Sequence, residues 1–324
     1  MARILTITLN PALDLNAELP GLEPGRVNRT SATRLEPAGK GINAGRVLAR
    51  LGHQVTVSGL LGEANAAPFE RLFADEALSD SFVRVPGQNR INIKIAEHGG
   101  RVTDVNGPGF SAPADALSRL EFRLAPLLAD QDVVLIAGSL PADLPASAVA
   151  RLVTLVRRAG KPVWLDASAE ALDAGLSAGP DAVKPNLDEL SVWAGTALTT
   201  LDQVAEAAGR MRAGGVDQVI VSLGADGVLW FGPEGCYRST PPPVTVVSTV
   251  CAGDSLLAGL LHGQLKTDAA ATARARLAFA TALSAECVQH AGVADPAAPD
   301  FTTLLDHTRV QPWPDDNNNG EMPL

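Results

Sequence analysis

Residues 133–137 read Val-Val-Leu-Ile-Ala. A run with no polar residue in it predicts a strand covered on both faces, as strands are in parallel sheets. The sequence on either side agrees. Downstream, Val149, Leu152, Val153 and Val156 recur at helical spacing, and strands follow at Val163–Asp166, Ala182–Lys184 and Gln218–Leu223. Helical patterns near Leu187–Ala194 and Val204–Ala213 are interleaved with them. Upstream, Arg3–Leu9 and Val55–Leu61 read as strands. Ala44, Val47, Leu48 and Leu51 mark a helix between Gly39 and Gly52, after a turn at Pro37. Two long helices close the chain, near Gly253–Leu265 and Ala269–His290. Strand alternating with helix predicts an α/β fold, a three-layer α/β/α sandwich around a mostly parallel sheet.

Two segments break the pattern. Residues 90–106 alternate Ile91, Ile93 and Ile95 with polar neighbours, and Gly99-Gly100 supplies a hairpin turn. Residues 12–34 are equally turn-rich. One face of such strands is apolar and needs a cover, which predicts a small β-sheet serving as a lid or a dimer contact. The expected division is a core of residues 1–11, 35–88 and 107–312, a lid of 12–34 and 89–106, and a disordered polar tail from 313 to 324.

The chain has 324 residues, a net charge of −10 and a hydrophobic fraction of 46%. An acidic chain repels nucleic acid and anionic membranes, so neither is an expected partner. No apolar run approaches the ~20 residues of a membrane span. Three cysteines, Cys236, Cys251 and Cys287, form no C-x-x-C pair and no complete disulfide set. They point to a reducing cytoplasm.

The chemistry-bearing stretches each have a plainer alternative. Gly39-Lys40-Gly41-Ile42-Asn43-Ala44 matches the dinucleotide pattern G-x-G-x-x-A, with Glu63 about 20 residues on. That pattern needs a buried strand just before it, yet Glu36 and Pro37 stand there. The remaining readings are an anion or sugar-hydroxyl site assisted by Lys40, or an ordinary glycine-rich helix start. In Thr249-Val250-Cys251-Ala252-Gly253-Asp254-Ser255, small residues precede an apolar helix. Its first N–H groups can hold a transferring phosphoryl group, with Asp254 as base; otherwise Asp254 is a helix-start acid favoured by the dipole. Asn186 and Glu189 stand where a strand gives way to a helix, spaced for a hydrated Mg²⁺ or for a capping box. Ser222-Leu223-Gly224-Ala225-Asp226-Gly227 is a nucleotide-phosphate turn or a tight turn between strands. Arg90 can fork onto a phosphate or lie solvated on an edge strand. The five histidines show no metal-ligand spacing.

Order and spacing carry more than any one motif. Asn10-Pro11-Ala12-Leu13-Asp14, then AGKGIN, RINIKI, GSLP at 138–141, KPNLDE, VSLGADG and STVCAGDS resemble the phosphofructokinase-B group of ribokinase-like sugar kinases, from Ile4 to about Pro312. Within the group, TLNPALD, AGKGIN, TDVN, ELSVWAG and VVSTV are most similar to the bacterial enzymes that phosphorylate fructose 1-phosphate. The resemblance implies ATP as co-substrate, Mg²⁺, a monovalent cation such as K⁺, and a homodimer through the lid. It places Asp14, Gly39 and Asn43 on sugar hydroxyls, and Lys40, Arg90 and Ser139 around the sugar phosphate. It puts Asn186 and Glu189 on Mg²⁺ and assigns the ATP site to Lys184, Asn186, Ser222, Gly224, Gly227 and Ser248. Cys251, Ala252, Gly253 and Asp254 become the anion hole and base. The chain departs from the group at Cys251, where the usual residue is glycine. An ordinary backbone conformation and a lowered thiol pKa are expected there. Kinases acting on tagatose 6-phosphate or fructose 6-phosphate share most of the pattern. A silent sugar-phosphate-binding regulator and a dehydrogenase are the rivals from other classes.

Overall fold

A computed structural model describes residues 1–99, 101–266 and 272–314. Its large sheet contains β1 (Arg3–Thr8), β4 (Gln54–Gly62), β5 (Ser79–Asp80), β6 (Val83–Val85), β9 (Val133–Ala137), β10 (Val163–Asp166), β11 (Ala182–Val183), β12 (Gln218–Ser222), β13 (Val228–Gly232), β14 (Gly235–Thr240) and β15 (Arg309–Pro312). A small sheet contains β2 (Ala12–Leu19), β3 (Ala32–Ala38), β7 (Arg90–Glu97) and β8 (Val102–Asn106). The helices are α1 (Lys40–Arg50), α2 (Ala67–Asp75), α3 (Ala116–Leu128), α4 (Ser147–Arg158), α5 (Ala169–Ser177), α6 (Leu187–Ala194), α7 (Leu201–Ala213), α8 (Ala252–Leu265), α9 (Ala273–Cys287) and α10 (Phe301–His307).

The large sheet runs β15-β14-β13-β12-β11-β10-β9-β1-β4-β5, with β6 beside β4. All pairs from β5 to β12 are parallel, and β13, β14 and β15 extend the edge antiparallel. β9 is central and buried throughout. Val133, Leu135 and Ala137 enter one core with Ile42 and Leu48 of α1, Leu257 and Leu261 of α8 and Leu283 of α9. Val134 and Ile136 enter the other with Leu120 and Leu124 of α3 and Val149 and Leu152 of α4. The expected three-layer α/β architecture is therefore present, and the period-2 alternation of one apolar strand feeds both of its cores.

In the small sheet the order is β3-β2-β7-β8. Asp14, Glu36 and Asn92 lie side by side in register, and Leu15, Leu35, Ile93 and Val105 form the neighbouring row. Successive residues point to opposite faces, so one face carries polar side chains toward the core domain and the other is apolar.

Several boundaries differ from expectation. Pro37 is not in a turn: β3 continues to Ala38 because Ala38 pairs with Ala12, so the small sheet extends past residue 34. β3 is an edge strand, where a missing N–H is tolerated. α9 ends at Cys287, short of His290. The predicted helix start at Ala269 and the turn residue Gly100 lie outside the described residues. Trp313 belongs with the ordered chain: its N–H donates to the Cys236 carbonyl at 2.9 Å, and its ring packs against the second core. The rest of the expected tail, from residue 315, lies outside the described residues.

Candidate active site

The carboxyl ends of β1, β9, β10, β11 and β12 face the starts of α1 and α8, where ligands gather in open parallel sheets. Gly41 is required for this closeness. A Cβ there would meet Thr8 Oγ1 at 2.5 Å and the Ile7 carbonyl at 3.0 Å, so the glycine lets α1 sit directly on β1. The residues before Gly39 are β3 of the small sheet and not a central strand, which rules out the dinucleotide fingerprint.

Asp14, Gly39, Lys40, Asn43, Arg90, Lys184, Asn186, Ser222, Cys251, Gly253 and Asp254 all line one cavity of about 370 Å³. Asn186, Ser222, Gly224, Gly227, Ala252 and Gly253 line a second cleft of about 430 Å³, with apolar walls from Pro241, Val244, Leu256 and Val288. Asn186, Ser222 and Gly253 border both, so the two spaces meet there. Gly227 also shapes the turn beside the second cleft: at φ +97°, a Cβ would lie 1.9 Å from the Ser239 carbonyl, so the turn closes only with glycine.

Asp254 is the third residue of α8, and Asn43 Nδ2 donates to its Oδ2 at 2.8 Å. Helix starts leave N–H groups without intrahelical acceptors. Here the first i−4 bond is from Ser255 N–H to the Cys251 carbonyl, at 2.8 Å. Burial, and then Asp166, push the Asp254 carboxyl up to about 6, with the Asn43 hydrogen bond and Lys40 opposing. Asp166, at the end of β10, is 1% exposed and bridges two ammoniums: Lys40 Nζ at 2.9 Å and Lys184 Nζ at 3.2 Å. Burial alone would raise its carboxyl, but Lys184 and Lys40 hold it below the ordinary value. Lys40 is correspondingly held charged by Asp166 and Glu189 against the effect of burial.

Asn186 and Glu189 do form the capping box. The Glu189 N–H donates to Asn186 Oδ1 at 2.7 Å, and the Asn186 N–H donates to Glu189 Oε2 at 2.9 Å. Glu189 Oε1 is left over and lies 3.7 Å from Lys40 Nζ, so capping and a role in the cavity are compatible. No group of three His, Cys, Asp or Glu among the described residues could cage a metal. One carboxylate oxygen left outside the cap fits a divalent ion that arrives with phosphates and keeps most of its water.

Two predicted residues stand elsewhere. Ser139 lines neither cavity; it accepts from Asn10 Nδ2 at 3.4 Å, while Arg90 Nε donates to the Asn10 carbonyl at 3.3 Å, so Asn10 ties the two together. Ser248 does not line the second cleft. Its hydroxyl accepts from the Val250 N–H at 3.2 Å, and it borders a small cavity with Asp14, Asn43 and Arg46. The loop folds back there because the Ser248 N–H is held by the Val288 carbonyl at 3.1 Å.

Both expectations for Cys251 fail. Its backbone is left-handed, φ +66° and ψ −2°, as the N-cap of α8. The turn from Thr249 to Ala252 requires that geometry, so the usual glycine reflects backbone angles and not only lack of bulk. The thiol is pushed well above its ordinary value by burial and by Asp254 nearby, which outweighs the helix start.

Sequence reasoning missed Asp166, Asn92 and Lys94. Asp166 had a visible signal, an acid closing the apolar strand Val163–Asp166. Asn92 and Lys94 line the first cavity from the inner face of β7, two and four residues after Arg90.

Residues 6–300 match the model of the pfkB family of carbohydrate kinases. The 1-phosphofructokinase of Escherichia coli strain K12 is 40% identical over 311 residues, covering 96% of this chain and 99% of that protein. The 1-phosphofructokinase of Rhodobacter capsulatus is 44% identical over 292 residues, covering 89% and 92%. Among solved structures, phosphofructokinase-2 from Escherichia coli in complex with substrates and products superposes with a TM-score of 0.84, at 29% identity, covering 94% of this chain and 98% of that one.

Proposed function

The chain belongs to the pfkB family of carbohydrate kinases, and on that premise we propose that it transfers the γ-phosphoryl group of ATP to O6 of D-fructose 1-phosphate, giving fructose 1,6-bisphosphate and ADP. The observation that carries the reading is Asp254. It is a buried carboxylate, oriented by Asn43, at a helix start where a polar cavity meets an apolar-walled cleft. With its pKa at about 6 it is ionised at neutral pH and still basic enough to take a proton.

In this reading the sugar occupies the polar cavity. Asp14, Gly39 and Asn43 hold its hydroxyls, and Arg90, with Ser139 behind it, faces the resident phosphate. Asp254 takes the O6 proton as oxygen attacks phosphorus. The N–H groups at the start of α8, with Ala252 and Gly253 leaving room for close approach, receive the transferring oxygens. Lys40 and Lys184, already fixed by Asp166, add positive charge. The second cleft takes the nucleotide, with Ser222, Gly224 and Gly227 along the phosphates. Mg²⁺, which neutralises phosphate charge when bound, would be held by Glu189 through Oε1, the oxygen that the capping box does not use, beside Asn186. Most of the catalysis is then positioning and electrostatics.

We place the enzyme in the cytoplasm, given its three free cysteines; no helix among the described residues is long and apolar enough to cross a membrane. The apolar face of the small sheet, with Leu35 50% and Val105 52% exposed, is the proposed dimer contact. A single-chain mass at micromolar concentration in sedimentation equilibrium would remove it.

The direct test is ADP release, coupled to NADH oxidation, with fructose 1-phosphate, fructose 6-phosphate, tagatose 6-phosphate and fructose. Fructose 1-phosphate should give the highest kcat/KM by at least tenfold (about 1.4 kcal/mol). A higher value for either 6-phosphate would overturn the assignment.

A further inference from the structure

Arg90, Asn92 and Lys94 alternate along β7, so all three project from the same face into the sugar cavity. Asn92 is only 8% exposed. Its Nδ2 donates to Asp14 Oδ1 at 2.9 Å, which fixes the amide's orientation and turns Oδ1 the other way. That oxygen is buried and has no partner among the described residues. A buried acceptor without a donor is unfavourable unless a ligand supplies one. Lys94 stands beside it. Its ammonium is 3.9 Å from Asp14 Oδ2 and 3.4 Å from Asp104 Oδ1, and its side chain is 16% exposed.

The chemistry of the sugar says what this pair can read. In fructose 1-phosphate the phosphorylated carbon is bonded to the anomeric carbon, so a hydroxyl lies next to the resident phosphate. In a ketose 6-phosphate the phosphorylated carbon is bonded to a ring carbon that carries no hydroxyl. Its anomeric hydroxyl lies at the other end, beside the reacting oxygen. With the reacting hydroxyl at Asp254 in both cases, only the 1-phosphate brings a hydroxyl to the phosphate end of the cavity. Resting on the kinase reading above, we propose that Asn92 and Lys94 form the specificity element for 2-ketose 1-phosphates: Asn92 Oδ1 accepts the anomeric O–H, and the Lys94 ammonium donates to the anomeric oxygen. A 6-phosphate leaves the Asn92 acceptor unpaired. A site built to hydrogen-bond a hydroxyl rejects the analogue lacking one there.

The test compares KM for fructose 1-phosphate with the inhibition constant of fructose 6-phosphate, in the full-length enzyme. Lys94→Gln should raise the first by about tenfold or more and change the second by less than about threefold. KM for ATP should stay within about twofold. Asn92→Ala, checked for folding by its near-ultraviolet circular dichroism, should narrow the same ratio by about fivefold or more. Parallel changes for both sugars in both variants, or none, would overturn the specificity role and leave the kinase reading standing. Absence of turnover on fructose 1-phosphate in the wild type would overturn both.

Discussion

Asp254→Asn should slow the enzyme and stabilise it at the same time. The carboxyl rises from an ordinary 3.8 to about 6 in the folded chain. At ~1.4 kcal/mol per pH unit, that difference is worth about 3 kcal/mol. The sign follows from linkage. A group whose folded pKa is raised favours the folded state most below its unfolded pKa, and the advantage disappears as pH climbs through the folded value. Wild type should therefore lose about 3 kcal/mol from this site between pH 4 and pH 6 to 7, and stay at the lower level above that. Asparagine keeps the shape, can still accept from Asn43, and does not ionise. Between pH 7 and 8 the variant should be more stable by about 2–3 kcal/mol, a rise of several degrees in melting temperature. Its kcat should fall by at least ~10², the usual size of a general-base contribution. In wild type, kcat/KM should drop tenfold per pH unit below about 6, and that acid limb should vanish in the variant. Differential scanning fluorimetry across pH and the ADP-coupled assay give both readouts. A variant that keeps most of its turnover, or that melts lower than wild type at pH 8, refutes the reasoning.

Glu189→Gln should raise the Mg²⁺ concentration for half-maximal rate several-fold, beyond the ~1 kcal/mol of stability expected from a weakened capping box; an unchanged Mg²⁺ titration would leave Glu189 with the cap alone. Arg90→Ala should raise KM for fructose 1-phosphate about ten- to a hundred-fold, from loss of a charge-assisted pair worth roughly 1.5–3 kcal/mol, with little change for ATP. Equal losses for both substrates would move Arg90 to the nucleotide. At Cys251, glycine removes left-handed strain of roughly 1–2 kcal/mol but adds unfolded-state freedom of roughly 0.5–1 kcal/mol, so Cys251→Gly should shift stability by under about 1 kcal/mol and kcat by under tenfold. Cys251→Val, β-branched at positive φ, should melt clearly lower, and equal melting of the Gly and Val variants would show that the backbone angle is not limiting.

The layers of the fold were legible because Val133–Ala137 and its neighbours express burial directly in composition. What escaped depended on contacts between distant parts of the chain. Pro37 reads as a turn until Ala38 is seen to pair with Ala12, which makes it part of an edge strand. Trp313 sits in a stretch as polar as any tail, yet the Cys236 carbonyl and the second core hold it. Ser248 lies just before the start of α8 in sequence, but the Val288 carbonyl turns it away from the second cleft and toward Asp14 and Asn43. The left-handed angle at Cys251 could not be read because its residue type argues against it. Asn92 and Lys94 belong to an alternating strand, and alternation does not say which face meets a ligand.

Two buried aspartates explain how the site holds its charge. Asp166 and Asp254 line the same cavity, and Asp166 pushes against ionisation of Asp254. Their partners separate them. Asp166 has two lysines within 3.2 Å and is held below its ordinary pKa, whereas Asp254 has one amide and rises to about 6. Carboxylates pushed apart in this way take different roles. One that stays ionised at every working pH suits a fixed counter-charge, and one poised near neutrality suits a proton acceptor. As the fixed anion, Asp166 keeps Lys40 charged and holds Lys40 and Lys184 in place before any phosphate arrives, so little reorganisation remains when charge develops in the reaction. Its field also raises Asp254 toward the pKa at which a carboxylate is a better base. A single buried acid closing β10 thereby supports both halves of the proposed chemistry without touching the reacting atoms, and its reach to both lysines follows from the pairing of β10 with β9 and β11.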